Sequence, residues 1–153
     1  RLQPDVIICN SAISACEKGG QWQSALALLD TIGRLRLQPN VITYSSAISA
    51  CEQGVQWQHA LALLGTIGHL CLQPNVITCS AAISACEKGA QWQSALALLG
   101  AMGRLHLQPD AFTCSAAIAT CQKGGQWQSA LALLGAMGRL RLQPDAITCN
   151  SAI

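Results

Sequence analysis

The chain has 153 residues, of which 51% are hydrophobic and 10% are charged, and its formal net charge at pH 7 is +2. No apolar run approaches the ~18–20 residues that a membrane-spanning helix needs, so we expect no membrane partner. The small positive charge neither requires nor excludes a nucleic acid as partner.

One sequence pattern recurs at a fixed interval of 35 residues. Its markers are the tryptophans Trp22, Trp57, Trp92 and Trp127 and the prolines Pro4, Pro39, Pro74, Pro109 and Pro144. A period of this length is typical of supersecondary units stacked on their neighbours. We therefore read residues 1–153 as one continuous repeat array, with a partial unit at 1–5, full repeats at 6–40, 41–75, 76–110 and 111–145, and a partial unit at 146–153. Because both ends fall inside a unit, we expect the chain to be a piece of a longer protein.

The first half of each unit predicts an amphipathic helix. In the first unit it covers Cys9–Lys18, where the apolar side chains fall within an arc of roughly 100°. These side chains are Cys9, Ala12, Ile13 and Cys16. The glycine pair after Lys18 is a natural stop for this helix.

The second half of each unit predicts another helix, from about Gln21 to Ile32 in the first unit. Its apolar stripe consists of Trp22, Ala25, Leu26 and Leu29. We expect the tryptophans to lie between helices, as part of the core. A pair of such helices cannot bury its own stripe, which favours stacking of the repeats.

The nine cysteines predict neither a disulfide framework nor a metal site. No C-x-x-C spacing is present, and His59, His69 and His106 occupy unrelated positions in their repeats. We expect buried, reduced cysteines that act as small apolar residues, in a reducing compartment, and no cofactor.

The string VITYSSAISACEQG…QWQHALALL…LQPN strongly resembles the pentatricopeptide repeat family. The resemblance rests on the glycine before the second helix, on A-L-x-L-L and on the terminal Pro-Asp or Pro-Asn, and it covers the whole chain. Tetratricopeptide repeats have a period of about 34 residues and carry their tryptophan in the first helix. The resemblance implies an all-α fold, a right-handed α-solenoid of stacked helix-turn-helix repeats. Gly65, Gly100 and Gly135 depart from the family pattern inside the second helix, at about 1 kcal/mol each relative to Ala.

The family resemblance also implies a sequence-selective module that binds single-stranded RNA, one base per repeat. It assigns base reading to the fifth and last residues of each repeat. These pairs are Asn10 with Asn40, Ser45 with Asn75, Ser80 with Asp110 and Ser115 with Asp145, and Asp5 and Asn150 belong to the flanking units. A carboxylate only accepts hydrogen bonds and an amide also donates, so the implied preference is pyrimidine–A–G–G. The alternative for the last residue is a helix cap and nothing more.

Two further sets of residues follow from the resemblance. The second residue of each repeat would stack on bases: Ile7, Ile42, Ile77, Phe112 and Ile147. For the isoleucines, core packing at a helix start is the alternative. Lysines at the thirteenth position would face phosphates: Lys18, Lys88 and Lys123. A lysine on a solvated face is the alternative there.

The resemblance favours a role in organelle RNA processing or stabilisation, in the mitochondrion or plastid, although this chain shows no targeting segment. The competing hypothesis is a protein–protein interaction scaffold of the tetratricopeptide-like type. We expect no enzyme activity from this segment and no small-molecule substrate, because it contains no nucleophile–base, paired-carboxylate or phosphate-loop pattern.

Overall fold

The computed structural model describes residues 4–140 and 146–152, and all secondary structure in these ranges is helical. The first helices of the repeats are α1 Val6–Lys18, α3 Val41–Gln53, α5 Val76–Lys88 and α7 Ala111–Lys123. The second helices are α2 Trp22–Arg34, α4 Trp57–His69, α6 Trp92–Arg104 and α8 Trp127–Arg139, and a short α9 covers Ala146–Ala152. Over the described residues, every helix is too short or too polar to cross a membrane.

The helices are longer than the apolar pattern predicts. Helix α1 begins at Val6, three residues before Cys9, because Asp5 caps it: its carboxylate accepts the backbone N–H of Ile8 at 2.8 Å. Helix α2 continues through Gly33 to Arg34 and ends where Arg36 adopts a left-handed backbone, with φ 55°. The apolar stripe alone does not contain these end signals.

The repeats stack into the predicted all-α solenoid. The first helices contact one another in succession, from α1 through α3, α5 and α7 to α9. Within the described residues, each second helix packs against the first helix of its own repeat and that of the next. In this part of the chain, second helices meet one another only through side chains, as where the rings of Trp22 and His59 lie 5.3 Å apart. Since the first helices pack closest along the array, they form its inner face.

The core lies between these helices and consists of the predicted small apolar residues. In α3 the buried side chains include Tyr44, Ala47, Ile48 and Cys51, and α5 and α7 bury the corresponding positions. The second helices bury an alanine and an isoleucine or methionine, which in α2 are Ala25 and Ile32. Ile32 was outside the predicted stripe.

Most of the cysteines are buried, as predicted, but Cys71 is exposed and Cys16 and Cys149 are half-buried. Cys71 lies in the turn after α4 with φ 55°, so it is not on a helix face. Burial raises the pKa of the Cys51 and Cys86 thiols to about 11. These two thiols are therefore protonated at neutral pH and poor nucleophiles.

Three of the four tryptophans pack against the glycine that follows the first helix of the next repeat. Trp57 lies over Gly89 so closely that a methyl group on Gly89 would be 2.2 Å from the indole Cδ1. The same contact joins Trp22 to Gly54 and Trp92 to Gly124. The prediction of a core position is wrong for Trp127, which is 61% exposed. Among the described residues Trp127 has no such glycine contact, because the position equivalent to Gly124 in the next repeat would be residue 159.

Candidate nucleic-acid interface

A row of large apolar side chains projects into solvent from the starts of the first helices. The exposed fractions are 73% for Ile7, 64% for Ile42, 69% for Ile77 and 62% for Phe112. Core packing therefore does not explain these residues, and their side chains are free to contact a ligand. Of Ile147 only the backbone, in α9, is described.

The last residue of each repeat caps the next first helix. The described members of this set are Asp5, Asn40, Asn75 and Asp110. In each, Oδ1 accepts the backbone N–H three residues later, at 2.8 to 3.0 Å. This bond fixes the amide orientation of the asparagines, because only the oxygen can accept. Asp145 lies outside the described residues.

Capping leaves the other terminal atom of these side chains available. All four residues are exposed. In the described part of the chain no hydrogen bond engages Oδ2 of Asp110 or Nδ2 of Asn40 and Asn75. The two sequence-based interpretations therefore use different atoms of one side chain, and a cap can also recognise a ligand.

The fifth residue of each repeat lies at the boundary with the next repeat and contacts its threonine. Ser45 Oγ is 2.6 Å from Thr78 Oγ1, and Thr43 Oγ1 donates to Asn10 Oδ1 at 2.6 Å. Equivalent bonds join Ser80 to Thr113 and Ser115 to Thr148. Asn150, the fifth residue of the last unit, is exposed on α9. The threonines recur every 35 residues in the sequence but were missed as site residues.

These side chains surround a cleft between consecutive repeats. Ile77 and Phe112 line a cavity of about 250 Å³ together with Ser80 and Asp110. Another cavity, of about 450 Å³, lies between the first two repeats and is lined by Asn10, Lys18 and Ile42 among others. The stacking and base-reading positions therefore meet around the same opening. The cleft offers two apolar surfaces and a small polar group of oxygen acceptors.

The lysines predicted to face phosphates do not share one environment. Lys88 Nζ lies 2.6 Å from Glu52 Oε1, and Lys123 Nζ lies 3.1 Å from Glu87 Oε1. Each lysine is thus neutralised by a glutamate of the preceding repeat. Within residues 4–140 and 146–152, Lys18 forms no ion pair. The same residues contain no cluster of three or more His, Cys, Asp or Glu that could hold a metal ion.

A family model matches the first part of the chain. The model of the PPR repeat family matches residues 4–53, and the pattern matched there recurs in register through the remaining units. Over residues 4–53, about a third of the chain, the sequence is similar to the pentatricopeptide repeat family. No protein of curated function matches it significantly.

Solved structures of pentatricopeptide repeat proteins have the same fold. The pentatricopeptide repeat protein PPR10 from maize superposes with a TM-score of 0.83 at 24% identity, over 98% of this chain and 22% of that one. Its complex with an 18-nt psaJ RNA element gives a TM-score of 0.78 at 24% identity, with the same coverage. The PPR domain of Arabidopsis thaliana protein-only RNase P 1, in complex with tRNA, gives 0.85 at 12% identity, over 97% of this chain and 79% of that one. The chain spans about a fifth of the maize protein's length.

Proposed function

We propose that this pentatricopeptide repeat array binds single-stranded RNA, with one base in each cleft between repeats. The observation that carries the proposal is the cleft between Ile77 and Phe112, where apolar walls flank Ser80 and Asp110. A flat base needs an apolar surface on its faces and polar partners on its edge, and this cleft offers both. The RNA-bound structures of PPR10 and of the protein-only RNase P 1 domain support the proposal at the level of the fold.

Stacking comes from the second residue of each repeat. A base in the cleft would lie between Ile77 and Phe112, whose side chains are more than half exposed without it. Stacking on an aromatic side chain contributes about 1–3 kcal/mol per base, and isoleucine contributes less. The third and fourth repeats, which share Phe112, therefore contribute more to affinity than the first two.

Selectivity for the base comes from the terminal side-chain atom, on the last residue of each repeat, that does not take part in capping. Asp110 presents Oδ2, an acceptor that suits the ring N–H of guanine or uracil. Asn40 and Asn75 present Nδ2, a donor that suits a ring nitrogen of adenine or cytosine. With a short serine leaving room for a purine and Asn10 favouring a pyrimidine, the proposed sequence is pyrimidine–A–G–G. The G proposed at the fourth base depends on Asp145, which lies outside the described residues.

Phosphate binding is weaker than the number of lysines suggests. Lys88 and Lys123 already pair with glutamates, so a phosphate must compete with a carboxylate for each of them. Lys18 has no such competitor in the described part of the chain. On a single strand, one released counterion gives a salt slope of about −0.7 and three give about −2. We expect a slope nearer the smaller value.

The wider biology rests on family resemblance. It supports a location in the mitochondrion or plastid and a role in RNA processing or stabilisation. It also supports a segment without catalytic activity of its own. The scaffold hypothesis has no observation that favours it over RNA binding, since the exposed apolar row and the caps converge on base-sized clefts.

Fluorescence anisotropy tests the proposal with the full chain and a labelled pyrimidine–A–G–G RNA. We expect micromolar or weaker binding to the single strand and much weaker binding to the same sequence in a duplex. Phe112→Ala should weaken binding about 5- to 150-fold, the equivalent of about 1–3 kcal/mol. Trp127→Ala is the matched control, because Trp127 is an equally exposed aromatic on a second helix. Equal binding to duplex and single strand, or equal losses in both variants, would refute the proposal.

A further inference from the structure

A chain of three polar side chains crosses the boundary between consecutive repeats. At the third boundary, Ser80 Oγ is 2.5 Å from Thr113 Oγ1, which is 2.6 Å from Asp110 Oδ1. At the second boundary, Ser45 and Asn75 flank Thr78 at 2.6 and 2.7 Å. The threonine hydroxyl therefore connects the two residues of one base-reading pair. Neither threonine has any exposed surface, so water cannot reach the hydroxyls and replace these hydrogen bonds.

The cap forms without the threonine hydroxyl, although in α3 Thr43 Oγ1 also accepts the backbone N–H of Asn40 at 3.1 Å. In the first repeat the position of the threonine is occupied by Ile8, which has no hydroxyl. Asp5 nevertheless caps that helix, accepting the Ile8 N–H at 2.8 Å, the same distance that Asp110 shows to Thr113. The backbone N–H is sufficient for capping. The hydroxyl of Thr113 is therefore available for another role.

The direction of each hydrogen bond follows from counting protons. A hydroxyl has one proton to donate, and the carboxylate of Asp110 only accepts. Thr113 therefore donates to Asp110, and its oxygen accepts the proton of Ser80. Ser80, which lines the cleft, is left with lone pairs toward the base. The same count at the second boundary leaves Ser45 as an acceptor beside the Nδ2 donor of Asn75.

The resulting patterns match two different bases. Ser80 and Asp110 present two acceptors, which complement the ring N–H and the exocyclic amino group of guanine. Ser45 and Asn75 present an acceptor and a donor, which complement the exocyclic amino group and the ring nitrogen of adenine. We infer that Thr78 and Thr113 are specificity-determining positioning residues: each orients the serine proton inward and so makes the serine an acceptor. The inference rests on the proposed RNA-binding function.

Removing the hydroxyl should change base choice more than affinity. In Thr113→Val, Thr113 no longer takes the Ser80 proton, so Ser80 is no longer restricted to accepting from the exocyclic amino group of guanine. The preference for G over A at the third base should fall on the order of fivefold, the equivalent of one hydrogen bond. Thr113→Ser keeps a hydroxyl at the same backbone position and should retain the preference. Thr66→Val is the control, because Thr66 Oγ1 bonds to Ala62 O within α4, away from the clefts.

The test is competitive binding of four RNAs that differ at the third base, with circular dichroism to verify folding of each variant. The inference predicts that Thr113→Val loses preference at that base alone, while Thr113→Ser and Thr66→Val keep the wild-type ranking. Thr78→Val, measured at the second base, provides the same test in an independent repeat. If the wild type has a preference that Thr113→Val and Thr78→Val leave intact, the inference is wrong and the proposed function stands. If the wild type has no preference at either base, both fail.

Discussion

Gly89→Ala should destabilise the array by forcing two repeats apart. Gly89 ends α5 with φ −89°, a backbone conformation that alanine adopts without strain. Its added methyl would nevertheless lie 2.2 Å from Cδ1 and 2.8 Å from Cγ of Trp57. Favourable contacts between carbon atoms occur at about 3.5–4.0 Å, so the indole must retreat by more than an ångström.

The size of the effect follows from two opposing terms. Overpacking of this kind costs about 1–3 kcal/mol. Replacing glycine by alanine in a compatible conformation stabilises by about 0.4–1 kcal/mol through the unfolded chain. We expect a net loss of roughly 1–2 kcal/mol in the free energy of unfolding. Gly19→Ala is the matched control: Gly19 ends α1 with φ −88°, and its nearest neighbour to an added methyl is Ala15 O at 3.5 Å. Gly19→Ala should be neutral or stabilising.

Urea unfolding followed by circular dichroism measures both changes. Because Gly19 lies in the first repeat, where arrays fray, the comparison is completed in a Trp57→Leu background. In that background the indole is absent and Gly89→Ala should no longer destabilise, which gives a coupling energy between the two positions. If Gly89→Ala lowers the free energy of unfolding equally with and without Trp57, its contact with the indole does not cause the destabilisation, and the reasoning is wrong.

Two other predictions concern backbone strain and buried thiols. Val55 has φ 57° at the position where Gly20 has φ 66°. Val55→Gly should therefore stabilise by about 1 kcal/mol and Gly20→Val should destabilise; equal signs in urea unfolding would contradict this. Burial raises the pKa of Cys51 to about 11, so its stabilising contribution is complete below the unfolded pKa and is lost as pH rises through 11. Between pH 9 and 11 the free energy of unfolding of the wild type should therefore fall more steeply than that of Cys51→Ala, by up to about 1.4 kcal/mol per pH unit. The same pH dependence in both proteins would refute this prediction.

The sequence was sufficient for the helix pairs because their signals are local and repeated. The apolar stripe of Cys9, Ala12, Ile13 and Cys16 and the glycines after it recur with the same spacing. The caps at Asn40 and Asp110 were also visible as residues of the right type after a proline. The cleft itself was predictable only through family resemblance. No local sequence signal at Ile77 or Ser80 indicates that their side chains line the same cleft.

Contacts between repeats were missed because they join residues more than thirty positions apart. In the sequence, Lys88 stands just before the turn that ends its helix, and nothing nearby indicates a partner for its charge. Stacking of the repeats nevertheless places its Nζ 2.6 Å from Glu52 Oε1. Thr113 reads as a β-branched residue at a helix start, yet stacking brings Ser80 onto its hydroxyl. Such pairs depend on the rise and rotation between repeats. These quantities are set by the packing of whole helices and not by any short motif.

Base choice at the third repeat tests the central claim most directly. Asp110→Asn keeps the size of the side chain and the Oδ1 that caps α7, but replaces the outward acceptor Oδ2 by the donor Nδ2. The measurement is competitive binding of four RNAs that differ only at the third base, by wild type and variant. Readout by Asp110 predicts that preference moves from G toward A by about 1–3 kcal/mol, a scale taken from base contacts in DNA grooves. An unchanged ranking of the four RNAs, with only a small change in stability, would mean that Asp110 is a cap and nothing more.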